Sequence, residues 1–387
     1  MRILHVGKFF PPFAGGIENF LADLLPAQAT LGLQVAVLVH HQGPGWRSIL
    51  PSPGASPPLI YRAPCLGRLL YVPISPSFPF WLDRVIRDFR PDLLHLHLPN
   101  TSAFAALLLP RARRLPWVIH WHADVVASAI DRRLALAYRL YRPFEQRLLH
   151  RSRAVIATSP PYLDASQALQ PWRERCVTIP LGLDPGRLVE PDTASLTQAE
   201  ALWGQSPLRV LAIGRLTYYK GHEVLVRASA SLPGVQTLII GGGEYRPRLE
   251  RLIQSLNLGD RVRLTGYRSE AEVAALLASC DLVCLPSLER TEAFGLVLLE
   301  AMRYAKPLVV SDIPGSGAPW LVGRAENGIL TPPGDAQALA AALSELWAHP
   351  ARCQQLGEAG AQALEREFGI QPVSSAINQL YGRVLGG

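Results

Sequence analysis

Leu208-Arg209-Val210-Leu211-Ala212-Ile213-Gly214-Arg215-Leu216-Thr217-Tyr218-Tyr219-Lys220-Gly221 reads as a buried strand that runs into a cationic loop and then opens a helix. A short, mostly apolar run closed by glycine has the length and composition of a parallel strand covered on both faces. Arg215 and Lys220 then fall in or beside the strand-to-helix loop, at the carboxy-terminal edge of a sheet. Cations near a helix N-terminus oppose its dipole unless an anion joins them. A diphosphate suits the pair, with the guanidinium as a planar fork and the ammonium as a point charge. Surface charge near a helix start is the plainer alternative, and this segment alone does not choose between them.

Working outward, the same alternation recurs. Strands are expected at Ile3–Val6, Val35–Val39, Leu93–Leu96, Val118–Trp121 and Val155–Thr158, with amphipathic helices over Ile17–Ala29, Trp81–Phe89 and Leu134–Leu149. After the opening stretch, further strands are expected at Thr237–Ile240, Val262–Thr265, Leu282–Leu285 and Leu308–Val310. Alternating strand and helix means an α/β protein with mostly parallel sheets. The stretch from Ile179-Pro180-Leu181-Gly182 to about Ser206 is the best candidate linker. The expected organisation is two doubly wound, Rossmann-like domains, residues 1–183 and 184–369. A cleft between two such sheets is where ligands of open α/β folds tend to bind.

Composition limits the function classes. The chain has 387 residues, 49% hydrophobic and 18% charged, so it should be globular and well packed. No apolar run approaches the roughly 20 residues needed to span a bilayer. Met1–Val6 reads as a strand rather than a signal peptide, and a cytoplasmic location is expected. Five scattered cysteines, none in Cys-x-x-Cys spacing, read as reduced thiols rather than a disulfide or metal set. The net charge of +7 is uneven: residues 1–183 hold 20 basic and 10 acidic side chains, the remainder 18 and 21. Such asymmetry points to an anionic partner: nucleic acid, acidic lipid or a phosphorylated substrate.

Thr291-Glu292-Ala293-Phe294-Gly295-Leu296-Val297-Leu298-Leu299-Glu300 places two carboxylates eight positions apart. At about 100° per residue they sit about 80° apart on one helix, so Glu292 is expected in a loop and Glu300 about a turn inside a helix beginning near Gly295. Both then border free backbone N–H groups that favour an anion. Carboxylates beside an anion site make sense if they hold hydroxyls, which suits a ligand with phosphates and sugars; the plainer alternative is that Glu292 caps a helix start and Glu300 is a solvated helix residue. Gly15-Gly16 opens a helix after the first strand and would let a ligand approach the backbone closely. Gly-x-Gly-x-x-Gly is missing, which counts against a dehydrogenase. His120-Trp121-His122-Ala123-Asp124 ends a strand, and Asp124 could set the orientation and charge of the His122 ring. His5, His95 and His97 lie at other strand ends. A metal site would need a third ligand that spacing does not specify, so a polar pocket for sugar hydroxyls is the expectation. Gly241-Gly242-Gly243-Glu244 and Gly266-Tyr267 end two more strands and let loops pack around a ligand. No Asp-x-Asp occurs, which removes a common way to carry a divalent metal on a nucleotide-sugar diphosphate.

As a set, these residues resemble the family-4 retaining glycosyltransferases of the GT-B fold. The most specific parts are Gly-Arg-Leu…Lys-Gly, the triple glycine and Glu-Ala-Phe-Gly-Leu-x-x-x-Glu-Ala. The first half is similar to the branch containing bacterial surface-polysaccharide and O-antigen mannosyltransferases, through Gly-Gly-Ile-Glu, His-Leu-His-Leu-Pro-Asn, His-Trp-His-Ala-Asp and Ile-Pro-Leu-Gly-Leu-Asp. That branch more often has serine where this chain has Ala123.

The resemblance implies a nucleotide-diphosphate sugar as co-substrate, no cofactor, no metal and no nucleic acid. It implies that Arg215 and Lys220 clamp the diphosphate, that Glu300 accepts from ribose hydroxyls, and that Glu292 holds sugar hydroxyls beside the N–H groups of Ala293, Phe294, Gly295 and Leu296. Gly243 and Tyr267 would line the donor site. Gly15 and Gly16 would close over phosphate and acceptor, and His122 would lie near the anomeric carbon, with Asp124 on the acceptor side. The C-terminal helix, about residues 370–387, is expected to pack back on the first domain. Mannose from GDP-mannose is the first choice of donor, passed to a saccharide or polyprenyl-linked saccharide. UDP-sugars, a nucleotide-sugar epimerase of the same fold and a non-catalytic binding relative remain open. The arginine cluster Arg111, Arg113, Arg114 and the basic segment Asp131–Arg153 suit peripheral contact with anionic lipid at the inner face of the cytoplasmic membrane.

Overall fold

The computed structural model describes residues 1–13, 15–52, 54–69, 72–125 and 132–386. Ala14 in the first glycine loop and Asp131 at the start of the basic segment therefore lie outside the described residues. The chain forms two compact units, Met1–Gly182 with Ile370–Gly387, and Leu183–Gly369.

The first unit is built on a seven-stranded sheet. Its strands are β1 (Arg2–Val6), β2 (Gln34–His40), β3 (Leu59–Ala63), β4 (Leu93–Leu98), β5 (Trp117–Trp121), β6 (Ala154–Ala157) and β7 (Cys176–Thr178). They lie in the order β3-β2-β1-β4-β5-β6-β7, all parallel. The second unit carries β8 (Leu208–Ile213), β9 (Val235–Ile240), β10 (Val262–Gly266), β11 (Leu282–Leu285), β12 (Leu308–Ser311) and β13 (Gly328–Thr331). Their order is β10-β9-β8-β11-β12-β13, again all parallel. In both sheets the chain starts in the middle, runs to one edge, then returns and runs to the other. The first strand and the fourth are therefore neighbours whose following connections leave in opposite directions, and the crevice at their carboxyl ends is where such folds take ligands.

The interior strands coincide with the apolar runs of the sequence. β3, β7 and β13 were not expected, and all three are edge strands. Leu59–Ala63 is half-buried along four of its five residues and Cys176–Thr178 has no buried residue. A strand covered by one neighbour needs no continuous apolar run, so it leaves little trace in composition. The expected linker is also partly ordered. Thr193–Trp203 is a helix capped by Asp192, whose side chain accepts from Ser195 N at 2.7 Å. Its Trp203 is buried and donates to Ser279 Oγ at 2.9 Å, which ties it into the second unit.

The core of the second unit is aliphatic, from Val210 and Ala212 on β8 through Ile239 to Leu343 and Leu346. The first unit buries Ile3, Leu4, Val35–Val39, Leu94, Leu96 and Trp117–Ile119 in the same manner, but also five histidines from β1, β4 and β5 or its end. The Ile370–Gly386 helix packs on the first helix, Gly16–Thr30, and buries Ile377, Leu380 and Tyr381. All five cysteines are free. Among the described residues, no helix is long and apolar enough to cross a membrane.

Candidate active site

In the second unit the two loops that leave β8 and β11 flank the point where strand order reverses. They are bound to each other. Leu288 N donates to Tyr219 O at 2.7 Å. Gly221, at φ 65°, stands where a Cβ would collide with the Pro286 carbonyl oxygen, so glycine is what permits the close approach. Lys220 Nζ then reaches Glu292 Oε2 at 2.6 Å, and Ser287 Oγ donates to the same oxygen at 2.9 Å. Ser316 Oγ donates to the Glu292 carbonyl at 2.5 Å, which fixes the loop from the far side. Burial works against the Lys220 charge, but the adjacent Glu292 carboxylate holds its pKa above the ordinary lysine value.

Glu292 lies in the loop, and Gly295, at φ 80°, caps the Leu296–Arg303 helix. Glu300 sits a turn inside and is 3.7 Å from the Arg187 guanidinium. Ala293, Phe294 and Leu296 are buried. Arg215 is exposed, 3.6 Å from Glu244 at the end of the triple-glycine loop. Gly243 is part of that loop, whose Gly242 O accepts from Leu216 N at 2.9 Å. Tyr267 is 80% exposed and lies against Gly242. Arg215, Lys220, Glu292 and the helix start at Gly295 thus all belong to loops at one edge of one sheet.

In the first unit, Gly15 caps the Gly16–Thr30 helix, and Asn19 N donates to Gly15 O at 2.9 Å. The Gly15 backbone is extended, a conformation open to any residue. A Cβ at Gly15 would meet the Glu18 carboxylate, the end of a side chain that folds back against the glycine. The Glu18 carboxylate thus lies beside the start of this helix. Burial raises the pKa of Glu18.

His122, 4% exposed, follows β5. Its Nε2 is 2.9 Å from His97 Nδ1, while its Nδ1 has no partner among the described residues. The ring is therefore oriented by His97 and not, as expected, by Asp124. The Asp124 Oδ1 accepts instead from Trp121 Nε1 and Ser166 Oγ, both at 2.7 Å. His5, His95, His97 and His120 are buried beside His122 and form a stacked array with it, at the place where a polar pocket for sugar hydroxyls is expected. His5–His95–His97 and His97–His120–His122 bring ring nitrogens within 4.8 Å of one another. However, the His120 and His122 rings are 1° from parallel with centroids 4.3 Å apart. Stacked rings cannot both point an in-plane lone pair at one ion. Burial drives all five pKa values down, to about 4 for His5 and about 3 for His122.

Sequence reasoning missed Ser287, Ser316, Arg187 and Glu145. Glu145 is fully buried, accepts from Tyr138 Oη at 3.3 Å, and has its pKa raised by burial to about 7. A lone glutamate in an arginine-rich helix was the available signal.

Comparison with known proteins agrees with the two-unit α/β fold. Residues 15–182 match the family described as glycosyl transferase 4-like domain, and residues 197–363 match glycosyl transferases group 1. The O-antigen chain mannosyltransferase C of Escherichia coli is 29% identical over 388 residues, covering 100% of this chain and 99% of its own. The D-rhamnosyltransferase WbpZ of Pseudomonas aeruginosa is 29% identical over 373 residues, with 95% and 92% covered. The structure of sucrose-phosphate synthase from Thermosynechococcus elongatus superimposes with a TM-score of 0.81 at 26% identity, covering 100% of this chain and 99% of that one. The two parallel-sheet units and these matches together show a glycosyltransferase of the GT-B fold. The chain belongs to the group 1 glycosyltransferases with a 4-like N-terminal domain, and it is similar throughout its length to an O-antigen chain mannosyltransferase.

Proposed function

We propose that this glycosyltransferase is a retaining, metal-independent hexosyltransferase that moves mannose from GDP-mannose to a saccharide or polyprenyl-linked saccharide. The observation that carries the reading is the Lys220–Glu292 pair, held between the two loops at the strand-order reversal with Arg215 and Glu300 on the same loops or just beyond them. The donor's diphosphate takes Arg215, the remaining N–H groups of Lys220 and the start of the Leu296–Arg303 helix. Glu300 accepts from the ribose, and Glu292 from sugar hydroxyls. Gly243 and Tyr267 lie on the base side. The first unit supplies Gly15 and Gly16, Asp124 on the acceptor side, and His122 for the transferred sugar. Mannose is preferred through likeness to the mannosyltransferase relative.

Breaking the glycosyl–phosphate bond leaves positive charge on the sugar ring and negative charge on the departing diphosphate. Fixed cations and a helix start stabilise that negative charge in place of a metal. The Oε2 of Glu292 already accepts from Lys220 and Ser287, which makes it a weak nucleophile and favours same-face displacement over a covalent intermediate. In that step the departing phosphate oxygen takes the acceptor's hydroxyl proton as the new glycosidic bond forms. Purified enzyme with GDP-mannose and a lipid-linked saccharide should give an α-mannosyl product at a rate unchanged by chelator. An inverted product, or a glycosyl–Glu292 adduct seen by mass spectrometry, would refute the mechanism.

The proposed location is the cytoplasm, peripheral to the inner face of the membrane. On the Arg132–Arg151 helix, Leu140 is 71% exposed beside the exposed Arg139, Arg142 and Arg147. Apolar and basic side chains on one exposed helix suit anionic lipid. Sedimentation with phosphatidylglycerol vesicles should fall when these three arginines become glutamine. Equal sedimentation with neutral vesicles would argue against contact.

A further inference from the structure

The buried histidines of the first unit are joined in one line. Gln28 Oε1 meets His5 Nε2 at 2.8 Å, His5 Nδ1 meets His97 Nε2 at 3.0 Å, and His97 Nδ1 meets His122 Nε2 at 2.9 Å. At the other end Gln28 Nε2 donates to Tyr381 Oη at 3.1 Å, and Tyr381 Oη also meets His95 Nδ1. Gln28 lies on the first helix, Tyr381 on the C-terminal helix, and the histidines on or after β1, β4 and β5. None of these six side chains is more than 4% exposed.

A neutral imidazole has one N–H and one lone pair, so each ring passes on the polarity it receives. Gln28 offers its carbonyl to His5, so His5 must donate from Nε2 and accept at Nδ1. His97 must then donate from Nε2 and accept at Nδ1. His122 must in turn donate from Nε2, which leaves its Nδ1 as a bare lone pair, the one ring nitrogen of His122 without a partner among the described residues. Were the amide reversed, every proton in the line would move across its ring and His122 would present Nδ1–H.

We propose that Gln28 is a positioning residue that sets the tautomer of His122 through His5 and His97, with Tyr381 holding the amide in the required sense. The His122 that results carries its lone pair on Nδ1, an atom buried in this structure, so a sugar hydroxyl that reaches it can only donate to it. This inference rests on the reading of His122 as a residue that meets the transferred sugar.

The test is carried out on the full-length protein. ¹⁵N spectra of labelled wild type should show His122 protonated at Nε2 and bare at Nδ1. Gln28→Leu should give a mixture of tautomers and lower kcat roughly tenfold, the scale of one lost hydrogen bond, with KM little changed. Gln28→Glu still accepts from His5 Nε2, so it should keep the tautomer and recover most of kcat. Tyr381→Phe frees the amide and should resemble Gln28→Leu. A wild-type His122 carrying its proton on Nδ1, or a Gln28→Leu protein with tautomer and kcat unchanged, overturns the proposal. If Gln28→Leu does not fold, Gln28→Glu and Tyr381→Phe decide through the same spectra. His122→Ala separates the two readings: full activity there removes His122 from the reaction, whereas lost activity beside an indifferent Gln28→Leu removes only the relay.

Discussion

The two sheets run their strands in the same order and place different chemistry at the same topological position. In the second unit the groups are ionic and held on loops, with Lys220 against Glu292 and Arg215 against Glu244. In the first they are neutral aromatics on or just after the strands, His5, His95, His97, His120 and His122. The difference teaches where charge can be kept. A loop beyond the strand ends can pair an ammonium with a carboxylate and still face a ligand. Inside the sheet a charge would be stranded, so rings that can shed their proton take its place.

The largest effect expected from this contrast is at the ionic site. Lys220→Met should lower the transfer rate on the order of 10²-fold or more. It should also destabilise the fold by about 3 kcal/mol, because Glu292 is left buried without its partner. Transfer assays and urea midpoints would measure both, and a rate within twofold of wild type would break the comparison.

Acid should separate the units next. Eight of the ten histidines lie in the first unit. The folded pKa values of His5, His40 and His122, about 4, 4 and 3, lie below the unfolded value near 6.5, with burial as the main cause. As pH falls below 6.5 the unfolded chain takes up protons first, so the stabilisation is complete above pH 6.5 and is lost as pH falls toward 4. Each such ring is worth on the order of 3 kcal/mol across that window. Hydrogen exchange should show protection falling in β1, β4 and β5 before β8 and β11 as pH drops from 7 to 5. Replacing His120, whose ring nitrogens have no partner among the described residues, with phenylalanine should flatten the slope. Parallel loss in both units would contradict this account.

Smaller effects sharpen it further. Gly221→Ala puts a Cβ against the Pro286 carbonyl at a positive φ and should cost about 2 kcal/mol, lowering Tm by several degrees. Arg215→Ala, at an exposed side chain, should leave Tm unchanged and lower transfer about tenfold, about 1.4 kcal/mol in activation energy.

Much of the fold could be read in the sequence because interior strands of a parallel sheet must be apolar on both faces, as at Val35–Val39 and Leu282–Leu285. The edge strands Leu59–Ala63 and Gly328–Thr331 escaped because one covered side relaxes that demand. The loop position of Glu292 and the helical one of Glu300 follow from an eight-residue interval that no straight helix aligns. Their partners do not: Lys220 is 72 positions from Glu292, and Gln28 is 353 from Tyr381. Nothing local in either sequence segment specifies such a pairing.

The central claim is that a nucleoside diphosphate binds the second unit through Lys220, Arg215 and Glu300. Thermal unfolding against a panel of GDP-mannose, GDP, UDP-glucose and UDP tests it most directly, on wild type, Lys220→Met and Glu300→Gln. One nucleotide family at about 100 times its Kd should stabilise the wild type by about 2.7 kcal/mol, and both variants should lose most of that protection. Protection of equal size in Lys220→Met, or none from any nucleotide, would contradict the account.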